Sequence, residues 1–77
     1  MKKLDKKEYS QGLNKMIVLD IKENYALICK LNNNGVKEYV IAYSCEVNKN
    51  NEISWCSGNY YFNFDFVIQE WLDISDN

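Results

Sequence analysis

The chain has 77 residues and contains no histidine, no arginine and no proline. Without histidine it has no imidazole to act as a general base, to activate a cysteine or serine, or to bind a metal. Without arginine it has no planar fork for phosphate or carboxylate. Eleven asparagines and nine lysines also indicate an AT-rich coding background as a cause of these absences. For either cause we expect no enzyme and no cofactor.

The cysteines are few, and no long apolar run is present. Cys29, Cys45 and Cys56 are odd in number and lack the C-x-x-C spacing, which predicts free thiols rather than a disulfide scaffold or a zinc site. No apolar run approaches the roughly 20 residues that a membrane helix needs. Charged and polar residues over 5–11 replace the apolar part of a signal peptide. The sequence therefore predicts a cytoplasmic protein.

Charge is distributed unevenly around a net value of −2. Residues 1–15 carry five lysines against two acids, a net of +3, whereas residues 16–77 carry four lysines against nine acids, a net of −5. This balance makes nucleic acid an unlikely main ligand and favours a partner protein with a basic surface. At this length we expect one domain over 16–77, preceded by a loosely attached Lys-rich segment over 1–15.

The first half of the chain predicts a short helix followed by strands. Asp5 and Glu8 have capping-box spacing and Gly12 would end a helix over 5–12. From Met16 onward apolar residues alternate with others, which is typical of strands. Residues 22–24 would form either a tight turn between two strands or a bend within one long strand. A helix over 17–29 is the competing interpretation, but β-branched and aromatic residues favour strands.

Two turns predict the register of the next hairpins. With odd-numbered residues on the core face, a loop of 33–35 places Leu31 opposite Lys37 and Cys29 opposite Tyr39. A loop of 49–51 places Val47 opposite Ile53 in the same way. Gly35 and Asn51 then occupy the positions that require a left-handed backbone.

The C-terminal part predicts an irregular strand that runs into a helix. The apolar parity changes at Gly58, which indicates a β-bulge. Asn63 is placed to cap a helix with apolar positions 64, 67, 68, 71 and 72, and Asp73 and Asp76 are expected to fray its last turn. The predicted fold is α+β: a three- to four-stranded antiparallel β-meander with a C-terminal helix packed on one face.

Seven of the eleven aromatic residues lie within 53–72, which is more than one small core normally hides. Neighbouring Tyr60 and Tyr61 should point to opposite faces of a strand, and one helix covers only one of them. Exposed aromatic rings are typical of protein interfaces, although large rings filling a shallow core explain them too. Acidic side chains nearby would suit a basic partner. The candidate contact residues are Tyr43, Glu46, Glu52, Trp55, Tyr60, Tyr61, Asp65, Phe66 and Glu70.

The pattern over 36–72 resembles that of short accessory proteins of phages and mobile elements from AT-rich bacteria. The resemblance lies in Tyr39-Val40-Ile41-Ala42-Tyr43, Ser54-Trp55, Gly58, Tyr60-Tyr61-Phe62 and an acidic residue that opens a helix. It implies a protein-binding role, since some of these proteins block host defence proteins such as CRISPR effectors. The alternatives are a homodimeric structural domain and a binder of small ligands or single strands on the sheet.

Overall fold

The computed structural model describes residues 3–11, 14–31 and 34–74. These residues form seven strands and one helix. The strands are β1 (Glu8–Gln11), β2 (Asn14–Lys22), β3 (Tyr25–Leu31), β4 (Lys37–Tyr43), β5 (Glu46–Val47), β6 (Ile53–Ser54) and β7 (Ser57–Tyr61), and the helix is α1 (Phe64–Asp73).

Five of the strands form one antiparallel sheet in the order β1-β2-β3-β4-β7, and β5 pairs with β6 in a separate hairpin. The predicted α+β class, with an antiparallel sheet and a C-terminal helix packed against it, is confirmed. The main sheet has five strands within the described residues rather than three or four, because the N-terminal segment contributes β1.

The helix predicted over 5–12 is wrong, since Glu8–Gln11 is a strand that pairs with β2. Tyr9 lies opposite Met16 and is only 1% exposed. Its hydroxyl accepts a hydrogen bond of 2.9 Å from the Asp5 N–H. Burial of the Tyr9 ring stabilises the strand more than a helix with a poor apolar face would be stabilised. The buried ring also holds the Lys-rich segment against the sheet. Gly12, the predicted end of the helix, lies outside the described residues.

Both predicted hairpin registers are confirmed. Leu31 lies opposite Lys37 across β3 and β4, and Gly35 has a positive φ of 78°. Val47 lies opposite Ile53, and Asn51 has a φ of 64°. Residue 33 of the first loop, and residue 32 before it, lie outside the described residues.

The prediction of a single core face made of odd-numbered residues is wrong, because the sheet is covered on both faces. We call the side covered by α1 the helix face and the side covered by the β5–β6 hairpin the hairpin face. The helix-face cluster contains Leu27, Ile41, Val67 and Trp71. The hairpin-face cluster contains Tyr9, Met16, Val18, Ala26, Ile28, Val40, Ala42, Val47 and Ile53. Strands β3 and β4 have apolar residues at both odd-numbered and even-numbered positions, which is typical of strands that are buried on both faces.

Two local irregularities produce this arrangement. Ser44 has a positive φ of 59° and ends β4, so the chain turns and the β5–β6 hairpin packs back on the sheet. In β2 the register shifts between Val18 and Asp20, which leaves Leu19 as a bulge. Leu19, expected in the core, is 40% exposed. The bulge also places Asp20 opposite Leu27, on the helix face.

The helix begins as predicted. The Oδ1 atom of Asn63 accepts a hydrogen bond of 2.9 Å from the Phe66 N–H, and Val67 and Trp71 are buried. Leu72 was expected on the apolar face but is 71% exposed. α1 ends at Asp73, and Asp76 lies outside the described residues.

Candidate functional site

The outer edge of β7 is one of the two edges of the main sheet that pair with no other described strand. β7 pairs with β4 on one side, and no described residue pairs with its other side. Hydrogen bonds at the end of β4 give the direction of the backbone. Ser44 N–H donates to Asn24 O in the turn before β3 (2.9 Å), whereas Cys56 N–H donates to Tyr43 O next to β7 (3.0 Å). Because successive residues of a strand direct their backbone groups to opposite sides, Tyr43 directs its N–H and C=O toward β7.

The same alternation gives the direction of the backbone N–H and C=O groups of β7. Ser57 lies opposite the last residue of β4, so Ser57, Asn59 and Tyr61 direct their backbone groups inward to β4. Gly58 and Tyr60 therefore direct their N–H and C=O groups outward. Two donors and two acceptors, two residues apart, are available for an additional strand.

On the hairpin face, the edge is flanked by Trp55 and Tyr60. The Trp55 Nε1–H donates to the Tyr60 hydroxyl at 3.1 Å, and the Tyr60 side chain is 50% exposed. A Cβ on Gly58 would lie 3.1 Å from Val40 Cγ1 and 3.2 Å from Trp55 Nε1. The absence of a side chain at Gly58 therefore lets the indole lie against the strand.

The predicted bulge at Gly58 is wrong in its position. Gly58 pairs regularly with Ala42, and the interruption lies at Trp55 and Cys56, between β6 and β7. The change from odd-numbered to even-numbered apolar positions is present in the structure. It arises because Ile53 belongs to the β5–β6 hairpin, whereas the residues from Ser57 onward belong to β7 in the main sheet.

On the helix face, the edge is flanked by Tyr61, Phe66 and Glu70. The ring centres of Tyr61 and Phe66 are 5.7 Å apart, and Phe66 is 54% exposed. Burial, with a smaller contribution from the Glu70 carboxylate, raises the pKa of the Tyr61 hydroxyl. Phe62, just beyond the end of β7, is 70% exposed. The prediction that Tyr60 and Tyr61 point to opposite faces is confirmed.

The structure thus brings five of the predicted contact residues together around β7, which we call the aromatic edge: Trp55, Tyr60, Tyr61, Phe66 and Glu70. Asp65 lies in the first turn of α1 and is exposed.

Tyr43 lies opposite Ser57, at the start of β7. It contacts Tyr25, with ring centres 5.2 Å apart, and lines a shallow depression of about 420 Å³ together with Ser57, Gly58 and Asn59. Glu46 and Glu52 belong to the β5–β6 hairpin, where Glu52 accepts a hydrogen bond of 2.9 Å from the Asn48 side chain.

Sequence reasoning missed Phe62 and the outward backbone of Gly58 and Tyr60. Phe62 was assigned to the continuing strand, whereas the structure ends β7 at Tyr61. The residue types of a strand do not show which of its backbone N–H groups point outward. The sequence indicates an open edge only in that β7 is followed by a helix rather than by another strand.

The described residues contain no group of three or more cysteine, aspartate or glutamate side chains placed to hold a metal ion. The cysteines are free thiols, and burial raises the pKa of the Cys45 thiol to about 11. A thiol with such a pKa is protonated at neutral pH and is a poor nucleophile. Within the described part of the chain, no helix has the length and apolar character needed to cross a membrane.

No family model matches the chain, and neither a curated protein nor a solved structure matches it at a significant level.

Proposed function

We propose that the chain is a non-enzymatic protein-binding module of the cytoplasm that contacts its partner through the aromatic edge. The observation that supports the proposal is an edge strand whose outer backbone groups pair with no described residue, with exposed aromatic rings on both sides. Tyr60, Phe62 and Phe66 are all half-exposed or more. Tyrosine, tryptophan and phenylalanine are enriched in the centres of protein interfaces, where they contribute much of the binding energy.

The charge of this surface points to a basic partner. Asp65 precedes Phe66 on α1, Glu70 follows it by about one helical turn, and the whole chain carries a net charge of −2. Acidic groups beside an aromatic contact accelerate association with a basic surface and select against acidic ones. Binding of this kind would block a host or defence protein without any chemistry, which is the role implied by the resemblance to phage accessory proteins.

The experiment is a pull-down with the tagged full chain from a lysate of the source bacterium. The double variant Tyr60→Ala with Phe66→Ala removes two exposed rings from the aromatic edge. Leu19→Ala is the matched control, because this side chain is also partly exposed but lies on β2, which β3 and β4 separate from β7. We expect a stoichiometric partner that is retained by the control and lost with the double variant. A partner that binds the double variant equally well would contradict the proposal.

Self-association is the second candidate, and the free edge of β7 is the observation that favours it. The mass of the purified protein in solution separates the two functions. A dimer at micromolar concentration that becomes a monomer in the double variant would assign the aromatic edge to a second copy of the chain.

A further inference from the structure

We infer that the partner of this chain contributes an extended segment with lysine or arginine at alternate positions, which adds to β7 as a further strand of the sheet. The inference rests on the proposed function and specifies how the binding occurs. It follows from the backbone direction of β7, from the contrast between the two edges of the sheet and from the charges beside β7.

The backbone of β7 is suited to strand addition. Gly58 and Tyr60 direct their N–H and C=O groups away from β4, and β7 has five residues, about the length of an ordinary strand. An added strand would form hydrogen bonds to both residues. Main-chain hydrogen bonds supply affinity in this mode of recognition, whereas alternate side chains supply specificity.

The two edges of the sheet differ in protection. At the β1 edge the strand has four residues, includes Glu8 and is flanked by Lys6 and Lys7. Shortness and charge are the usual means by which an edge avoids pairing. The β7 strand, with the sequence SGNYY, has neither a charged residue nor a proline and is paired regularly with β4 throughout. The β7 edge is therefore the less protected of the two described edges of the sheet.

The side chains beside β7 select the residue types of the added strand. On the helix face, a residue opposite Tyr61 would lie next to Phe66 and Glu70. The long apolar stem of a lysine or arginine packs on aromatic rings while its charged end reaches a carboxylate. On the hairpin face, a residue opposite Gly58 would lie beside the Trp55 indole and the Tyr60 ring, which favours an apolar side chain. The segment therefore alternates basic and apolar residues.

Charge favours this partner over a second copy of the chain. In an antiparallel pairing of two β7 strands centred on Asn59, Ser57 of one copy would face Tyr61 of the other. The copy would place neutral Ser57 where the carboxylate of Glu70 favours a cation, and it would bring its own Glu70 and Asp65 to the interface. A basic segment supplies the missing charge.

The experiment begins with a display library of random ten-residue peptides without proline, selected against the full chain. Enriched peptides are synthesised and N-methylated at one residue at a time. We expect enrichment of sequences that alternate basic and apolar residues. Methylation at every second residue should weaken binding about tenfold, because each of those methyl groups replaces a donated hydrogen bond, whereas methylation at the residues between has little effect. Amide hydrogen exchange at Gly58 and Tyr60 should slow when peptide binds.

Two results would overturn the inference, and each leaves the proposed function separately testable. Peptides that lack the period of two in the methylation scan, or that leave exchange at Gly58 and Tyr60 unchanged, would show a different mode of binding. A failure to enrich any peptide would also overturn it. In either case the pull-down with the Tyr60→Ala and Phe66→Ala double variant still decides whether the aromatic edge binds a protein. A dimer with slow exchange at Gly58 and Tyr60 in the absence of peptide would identify a second copy as the added strand.

Discussion

Lys22 on β2 caps the end of α1 by contacting Trp71. Its Nζ donates a hydrogen bond of 2.7 Å to the Trp71 carbonyl oxygen and one of 2.8 Å to the Ile74 carbonyl oxygen. The same nitrogen lies 5.0 Å from the centre of the Trp71 ring. The last turn of α1 contains no basic residue, so this lysine from the sheet supplies the positive charge that a helix C-terminus favours.

Replacement of Lys22 by methionine should destabilise the protein by about 1–2 kcal/mol, since it removes the charge and both hydrogen bonds but keeps the apolar stem. Chemical denaturation measures the free energy of unfolding. Lys37→Met is the control, because Lys37 is an exposed lysine on β4 and should change stability little. Equal effects of the two substitutions would contradict a specific role of Lys22 at the helix end.

Acid should remove a contribution to stability made by Asp20. Hydrogen bonds from the Trp71 Nε1–H (3.0 Å) and the Ile21 N–H, with a smaller effect of Lys6 and Lys22, lower the pKa of Asp20 in the folded state. A lowered folded pKa stabilises the native state above the unfolded value of about 3.9. That stabilisation is lost as the pH falls through the folded pKa.

The variant Asp20→Asn should therefore be less stable than the wild type at pH 7, and the difference should shrink as the pH falls below about 4. Urea denaturation at a series of pH values measures it. Glu23→Gln, in the turn between β2 and β3, serves as the control substitution of an acid. A difference between the wild type and Asp20→Asn that is constant from pH 7 to pH 2 would contradict the assignment.

Gly58 and Gly35 should respond to alanine for different reasons. At Gly58 the added methyl group would crowd Val40 and Trp55, at a cost of about 1–3 kcal/mol. At Gly35 nothing lies within 4 Å, and the positive φ of 78° alone should cost about 1 kcal/mol. The Trp55 indole N–H resonance should move in Gly58→Ala and stay in place in Gly35→Ala. A fixed resonance in both variants would show that the indole does not depend on Gly58.

Tyr60 and Tyr61 should differ in their effect on stability. Tyr61→Ala removes a ring that packs on the helix-face cluster and should cost about 1–3 kcal/mol, whereas Tyr60→Ala removes a half-exposed ring and should cost less than about 1 kcal/mol. Thermal and chemical unfolding of the two single variants measure this. A collapse of stability in Tyr60→Ala would make that ring part of the core and would weaken the proposed interface.

The cysteines should react in a defined order. Cys56 is exposed, whereas Cys45 is partly buried and has a pKa raised to about 11. With iodoacetamide at pH 8, mass spectrometry should find the first adduct on Cys56 and a much slower one on Cys45. Cys56→Ser should remove the fast phase. Rapid modification of Cys45 in the native protein would show that its segment opens readily.

Local turn chemistry made part of the fold predictable from sequence. Gly35, Asn51 and the cap residue Asn63 each have a backbone or side-chain preference that acts within a few residues, and the structure confirms all three. The Leu19 bulge and the positive φ of Ser44 were not predictable, because neither residue type signals such a conformation. Both are imposed by packing between distant segments.

The sequence predicted which aromatic side chains belong to the candidate site, but it did not predict how they are arranged in space. Tyr60, Tyr61 and Phe66 follow from the aromatic run alone. The position of Tyr43 follows only from the topology, which places this residue opposite Ser57 at the start of β7 and away from Phe66. The apolar residues at both parities of β3 and β4 were the overlooked signal that the sheet is covered on both faces.

Because α1 and the β5–β6 hairpin cover the two faces of the sheet separately, the two faces need not unfold together. Val67 and Trp71 are the buried residues of α1, and the helix-face cluster to which they belong has four buried members. The hairpin-face cluster has nine buried members, drawn from β1 to β4 and from the β5–β6 hairpin. We expect α1 to detach in a partial unfolding step while the hairpin face remains closed, with amides of α1 exchanging at a lower free energy than those of β3. Such a step would release Phe66 and Glu70 from β7, so the occupancy of the aromatic edge and the docking of the helix would be thermodynamically linked.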